Sequence, residues 1–149
     1  MEGSSDMETR QKTTRDRLNA IAEFVLTIPP ELFTMGHWWC AGGMAFDDDA
    51  NKMYKVADGD CGCAIGHCIN KGMVALTIDD LTKIPGDLGI RTETGVRKYA
   101  FGKIGEALGI TTIEAEFIFD QYAYSHFFRS TITREQVADR LRFVAAAQL

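Results

Sequence analysis

The chain has 149 residues, of which 46% are hydrophobic and 25% charged, and its formal net charge at pH 7 is -5. This length is typical of one domain, and the composition excludes an intrinsically disordered chain. The negative charge argues against a nucleic-acid partner, and no apolar run approaches the roughly 20 residues that a membrane span needs. We therefore expect a cytoplasmic protein with no membrane partner.

The N-terminal residues 1–12 are polar and lack a hydrophobic period, so we expect a disordered tail there and a single helical domain over residues 13–149. Residues 14–27 carry apolar side chains at every third or fourth position, which predicts an amphipathic helix. Its buried face would comprise Leu18, Ile21, Ala22, Val25 and Ile28. The two prolines that follow would end this helix.

Residues 31–43 form an aromatic and glycine-rich stretch, here called the tryptophan segment, which contains both tryptophans of the protein. The stretch follows neither the helical nor the strand period, so we expect irregular structure. Trp38 and Trp39 would either plug the core or line a pocket. Further along, Met53, Tyr54 and Val56 fit a short strand.

Three of the four cysteines lie within residues 58–68, here called the cysteine stretch. Asp60 fits a helix cap, which predicts a helix from Cys61 to Lys71. At about 100° per residue, Cys63 and His67 lie on one side of that helix. The opposite side would carry Cys61, Ala64, Ile65 and Cys68.

A zinc site is one interpretation of this geometry. Cys63 and His67 are four residues apart, and His37 and Cys40 in the tryptophan segment have His-x-x-Cys spacing. Two cysteines and two histidines would complete a tetrahedral zinc set. A site of this kind makes zinc the one cofactor that the sequence indicates.

Thiol chemistry is a second interpretation, in which Cys63 would be the nucleophile and His67 its base. A cysteine in the first helical turn has a lowered pKa, and an imidazole one turn later further favours the thiolate. The third interpretation is simple packing, because free cysteines behave as small buried apolar residues. Gly62 and Gly66 would then allow another helix or the tryptophan segment to approach closely.

The C-terminal half reads as helices with clear boundaries. A helix from Thr94 would end at Gly109, and a capping box formed by Thr111 and Glu114 would open a helix that runs to about residue 128. A second capping box at Thr133 would open the last helix, whose buried stripe is Val137, Leu141, Val144 and Ala145. Altogether we expect an all-α domain of five or six helices with little or no sheet.

Two motifs carry a resemblance to other proteins. Residues 33–38 read Phe-Thr-Met-Gly-His-Trp, and residues 61–67 read Cys-Gly-Cys-Ala-Ile-Gly-His. The pair resembles a loose set of small bacterial and phage proteins with a Phe-x-Met-x-x-Trp segment followed by a Cys-Gly-Thr-x-x-Cys-x-x-Gly-His helix. In this chain the two cysteines lie closer together. The resemblance implies a helical domain from a mobile element and supplies no catalytic residues.

The sequence shows no complete catalytic constellation, so our first functional hypothesis is a helical domain that acts through protein–protein contacts. The aromatic residues of the helix after Thr111 nearly encircle it, which would favour a homodimer or a protein partner. They are Phe117, Phe119, Tyr122, Tyr124, Phe127 and Phe128. The alternative hypothesis is a zinc-stabilised domain, a small-ligand binder or a thiol enzyme that uses Cys63 and His67 beside Trp38 and Trp39.

Overall fold

The structure is a computed structural model that describes residues 2–83, 92–124 and 132–148, with side chains described from residue 13 onwards. Within these ranges the domain has six helices and two small antiparallel strand pairs. The expected count of helices is confirmed. The expected all-α class holds only in its coarser form, a mostly helical domain, because two strand pairs are present in the first half of the chain.

Helix α1 spans Glu2–Val25 and ends shortly before the two prolines, as expected. Its predicted inner face is confirmed, since Leu18, Ile21, Ala22, Val25 and the following Ile28 are all buried. The helix also includes residues 2–12, where we expected a disordered tail. No proline interrupts the sequence before Val25, so the backbone has no local reason to leave the helical conformation.

The tryptophan segment begins with a single 3-10 turn over Pro30–Leu32 and continues to strand β1 (Trp39–Cys40). A second 3-10 turn leads to a hairpin of β2 (Met44–Asp47) and β3 (Lys52–Lys55), which confirms the short strand expected near Tyr54. Strand β4 (Cys61–Gly62) pairs with β1. The segment is therefore irregular over most of its length but contributes one strand to a pair.

The predicted helix is present, but its predicted first residue, Cys61, is wrong. Cys61 and Gly62 are extended in β4, and helix α2 spans Ala64–Lys71 with Cys63 as its N-cap. Asp60 caps no helix, because its Oδ1 accepts a hydrogen bond from the Gly42 amide of the tryptophan segment. The pairing of β4 with β1 therefore overrides the local capping signal.

The remaining helices are α3 (Ile78–Thr82), α4 (Glu93–Leu108), α5 (Thr112–Phe119) and α6 (Arg134–Ala146). The capping boxes at Thr111 and Thr133 are confirmed, and so is the left-handed Gly109 that ends α4. The buried stripe of α6 is also as expected.

The predicted length of α5 is wrong, because the helix ends at Phe119, nine residues before the expected end near residue 128. Asp120 has an extended backbone with φ -82 and ψ 118, and its Oδ1 accepts from the Tyr122 amide at 2.9 Å. A 3-10 turn over Gln121–Ala123 follows. Phe127 and Phe128, which we expected on this helix, lie outside the described residues.

One hydrophobic core joins all six helices, and α1 packs most extensively on α6. Fully buried side chains from α1, α2, α4, α5 and α6 meet in it, among them Leu18, Ile65, Ile104, Ile118 and Leu141. Trp38 packs against this core, and its ring centroid lies 5.7 Å from that of Phe101. Among the described residues, no helix is both long and apolar enough to cross a membrane.

Candidate functional site

The tryptophan segment lies directly on the start of α2. The Thr34 amide donates to the Gly62 carbonyl at 2.9 Å, and the Cys63 amide donates to the His37 carbonyl at 2.8 Å. A parallel bridge joins Phe33 to Gly62 as well. These backbone contacts fix the two motif-bearing segments against each other.

Two glycines make this close approach sterically feasible. A Cβ at Gly62 would lie 2.5 Å from the Trp38 carbonyl oxygen, and a Cβ at Gly66 would lie 1.7 Å from the same atom. Both distances are far below a normal van der Waals contact. The expectation that Gly62 and Gly66 admit the tryptophan segment is therefore confirmed.

The four residues of the proposed zinc set have different surroundings. His37 contacts Tyr54 at 6.4 Å between ring centroids, Cys40 is paired with Cys61 across the β1–β4 ladder, and Cys63 lies against Trp38. The ring of His67 meets that of Trp39 edge-on at 5.0 Å. Over the described part of the chain, no group of three or more His, Cys, Asp or Glu residues is arranged to hold a metal ion.

Cys63 is a buried thiol whose pKa is raised to about 11. Burial is the main cause, since it disfavours the thiolate, while the amides of Gly66 and Ile65 at the start of α2 act in the opposite direction. We expected the helix terminus to dominate and lower this pKa, and the direction is the reverse. The thiol donates a long hydrogen bond to the Trp38 carbonyl at 3.7 Å.

His67 is held by a hydrogen bond to the main chain at the opposite end of the tryptophan segment. Its Nε2 donates to the Leu32 carbonyl at 2.7 Å, which fixes the proton of the neutral ring on Nε2. Burial lowers the pKa of His67, and the bond to Leu32 only partly offsets that effect. In the described contacts, the imidazole is thus directed at Leu32 and Trp39 and makes no hydrogen bond with the Cys63 thiol.

The best-formed concavity near these residues is a cleft of about 170 Å³, here called the Trp38 cavity. This volume is several times what one ordered water requires. Its walls come from the tryptophan segment, α4 and the end of α5. The lining residues include Met35, His37, Trp38, Cys63, Glu93, Arg97, Phe101, Asp120, Gln121 and Tyr122.

Two residues of the cavity lining each carry a polar side-chain atom that is buried without a hydrogen-bond partner in the described part of the chain. These atoms are Nε of Arg97, which is a donor, and Oε1 of Gln121, which is an acceptor. Buried polar atoms are nearly always satisfied in proteins, and each one left unpaired costs about 1–3 kcal/mol. Both residues therefore carry an unmet hydrogen-bonding capacity beside the cavity.

Among the described residues, an aromatic ring orients Arg97 and no carboxylate does. Its guanidinium carbon lies 4.5 Å from the centroid of the Tyr122 ring. Glu93 and Asp120 also line the cavity, yet neither forms an ion pair with Arg97 among the described contacts. Asp120 is 8% exposed and its Oδ1 is engaged by the Tyr122 amide.

Sequence reasoning found Trp38 and Cys63 as pocket residues but missed Arg97 and Gln121. Arg97 has the pattern of a solvent-facing position on α4, and Gln121 falls within the longer helix that we expected. The break at Asp120, which precedes Gln121, had no clear signal, because the residues that follow are Gln, Tyr, Ala and Tyr and include neither glycine nor proline. His67 and Trp39, expected at the same site, do not line the cavity.

Comparisons with known proteins give no further assignment. No protein-family model matches this chain, and no match was found among curated proteins or solved structures.

Proposed function

We propose that this domain binds a small polar ligand in the Trp38 cavity. The observation that carries the proposal is that two residues lining one cleft, Arg97 and Gln121, each have a buried polar atom, Nε and Oε1, with no partner among the described residues. Concave sites with aromatic walls and a few convergent polar groups are the usual form of ligand sites.

The two atoms define the chemistry of the ligand. Arg97 Nε requires an acceptor, and Gln121 Oε1 requires a donor, so one neutral group that offers both, such as an amide, would satisfy them. The carboxylates of Glu93 and Asp120 balance the charge of Arg97 and disfavour a strongly anionic ligand. Trp38, Phe101 and Tyr122 provide apolar surface for a flat ring.

A matched series of three ring compounds tests this assignment. Benzamide offers a donor and an acceptor, benzoate offers only acceptors, and ethylbenzene offers neither. Isothermal titration and ¹H–¹⁵N NMR would compare them, with the Trp38 indole signal as the local reporter. We expect benzamide to bind most tightly and to shift the Trp38 signal.

Three variants identify the atoms involved. Arg97→Lys keeps the positive charge but removes Nε, and Gln121→Leu removes the acceptor, so each should weaken benzamide binding about tenfold. Arg142→Lys, at an exposed position on α6, is the matched control and should bind like the wild type. Equal affinity for all three compounds, or no effect of Arg97→Lys, would reject the proposal.

We propose, as a second candidate function, that the domain self-associates through an exposed apolar patch on α5 and α6. Ile113 is 79% exposed and Phe143 is 70% exposed. Phe117 lies one turn after Ile113 on α5, and its ring centroid is 5.8 Å from that of Phe143. Contiguous exposed apolar side chains of this kind are typical of protein contact sites.

Light scattering at high protein concentration tests this second candidate. We expect a dimer mass that falls to the monomer mass in Phe143→Glu. The matched control is Phe46→Glu, which places a charge at an exposed position of the β2–β3 hairpin, where Phe46 is 52% exposed. A monomeric wild type, or equal effects of the two variants, would contradict self-association through this patch.

A further inference from the structure

Cys40 and Cys61 are directly opposite each other in the two-residue antiparallel ladder of β1 and β4. Opposite residues in such a ladder have Cα atoms about 4.5–5.5 Å apart, within the roughly 4.4–6.8 Å that a disulfide spans. Burial raises the pKa of Cys40, and the neighbouring Cys61 thiol adds to that rise, so the two thiols lie close together. Both cysteines are free in this structure.

The pair is sheltered but lies beside a second cleft. Cys40 is 4% exposed and Cys61 is fully buried. Cys61 nonetheless lines a cavity of about 180 Å³ together with Phe33, Thr34 and Ala57. This cavity is the side from which a small uncharged reagent would approach the pair.

We propose that Cys40 and Cys61 form a reversible redox site that becomes an intramolecular disulfide when the protein meets a small-molecule disulfide. The thiolate of one cysteine attacks the small disulfide, breaks its S–S bond and releases one small thiol. The second cysteine loses its proton and attacks the protein sulfur of this mixed disulfide, which releases a second small thiol. The protein dithiol is oxidised by two electrons, and the small disulfide is reduced to two thiols.

The bond would fix the tryptophan segment to the start of α2. It would close a loop of about 20 residues between two segments that are otherwise joined by a two-residue ladder and a few backbone bonds. Loop closure of that size raises the thermal midpoint of a domain this long by about 10 °C. This inference does not depend on ligand binding in the Trp38 cavity.

Hydroxyethyl disulfide, which is small and uncharged, is the probe that tests the site on the full reduced chain. Free thiols are counted after denaturation, and a tryptic digest identifies the linked peptides, since Cys40 lies in a different tryptic peptide from the other three cysteines. We expect loss of two of the four thiols. The rate should rise about tenfold per pH unit between about pH 7 and 9, because the pKa of Cys40 is raised to about 11.

Cysteine variants distinguish this pair from the neighbouring thiols. Cys63→Ser and Cys68→Ser should still form the link and show the rise in thermal midpoint, and Cys40→Ser and Cys61→Ser should form no intramolecular link. If one of the last two variants fails to fold, fragmentation of the linked tryptic peptides from Cys63→Ser still locates the bond. A link from Cys40 to Cys63, or mixed disulfides with no internal link, would overturn the proposal.

Discussion

Gly66 of α2 and Trp38 of the tryptophan segment are so close that a Cβ on the glycine would lie 1.7 Å from the Trp38 carbonyl oxygen. The same carbonyl accepts from the Cys63 thiol one turn earlier. The backbone of the tryptophan segment thus fills the space that a side chain on α2 would occupy. This contact determines the position of Trp38, and Trp38 forms part of the wall of the Trp38 cavity.

Gly66→Ala should therefore destabilise the domain by about 3 kcal/mol or more, because the atom it meets belongs to the backbone and cannot rotate away. Urea unfolding followed by Trp fluorescence would measure the loss. The matched control is Gly102→Ala in α4, where a Cβ would lie 3.6 Å from the Thr112 hydroxyl. That change should be neutral or stabilise by about 0.5–1 kcal/mol. Equal effects of the two variants would contradict the contact.

Local signals in the sequence were sufficient for much of this fold. The capping boxes at Thr111 and Thr133 and the glycine at 109 set helix ends through contacts within a few residues, and all three are confirmed. Asp60 carried an equally good capping signal, but it does not cap a helix. Its carboxylate instead accepts from Gly42, 18 residues away in sequence.

The geometry of the candidate site depends even more strongly on contacts between residues that are far apart in the sequence. The four-residue spacing of Cys63 and His67 predicted one shared side of a helix, and in the structure both residues contact the tryptophan segment. That spacing could not show that His67 Nε2 donates a hydrogen bond to the Leu32 carbonyl while the Cys63 thiol donates to the Trp38 carbonyl. Arg97 and Gln121 come from two elements whose packing no local pattern encodes, so their convergence was not predictable.

Cys63 should react slowly with iodoacetamide at neutral pH. With a pKa raised to about 11 by burial, only about one thiol in ten thousand is ionised at pH 7. The rate, followed by mass spectrometry with fragmentation to locate the label, should rise about tenfold per pH unit up to about pH 9. The same chain in denaturant provides the control and should label rapidly. Fast labelling of folded Cys63 at pH 7 would restore the thiolate interpretation.

The stability contributed by His67 should decrease in mild acid. Burial lowers its pKa in the folded state below the ordinary value of 6.5, so the unfolded chain binds the proton more readily. The contribution is fully present above about pH 6.5 and is lost as the pH falls toward the folded-state pKa. Unfolding free energies measured from about pH 7.5 to about pH 5 would show this decrease.

Two histidine variants separate this effect from general acid sensitivity. His67→Asn should unfold more easily at every pH but with a smaller decrease on acidification than the wild type. His37→Asn removes an imidazole outside the Leu32 contact and provides the comparison. If His67→Asn retained the full acid dependence of the wild type, the buried imidazole would not be its source.

Arg134 at the start of α6 should be a strong contributor to stability. Its Nη1 donates to the carbonyls of Leu26 and Ile28 at 3.1 and 2.6 Å, which closes the end of α1. Hydrogen bonds from charged groups contribute about 1.5–3 kcal/mol, so Arg134→Ala should lower the free energy of unfolding by about 2–3 kcal/mol. Glu135, the partner of Arg134 in the neighbouring ion pair, is exposed to solvent, so Glu135→Gln should leave the free energy of unfolding close to that of the wild type.

The matched control for Arg134 is Arg142→Ala on the same helix, at an exposed position where the loss of one positive charge should be nearly neutral. Arg134→Lys should fall between the two, because a lysine retains the charge but its ammonium is one bond nearer the backbone than Nη1, the atom that donates to both carbonyls. Urea unfolding of all four variants in one buffer gives the comparison. If Arg134→Ala and Arg142→Ala were equally stable, the α1–α6 packing would be held by its apolar contacts alone.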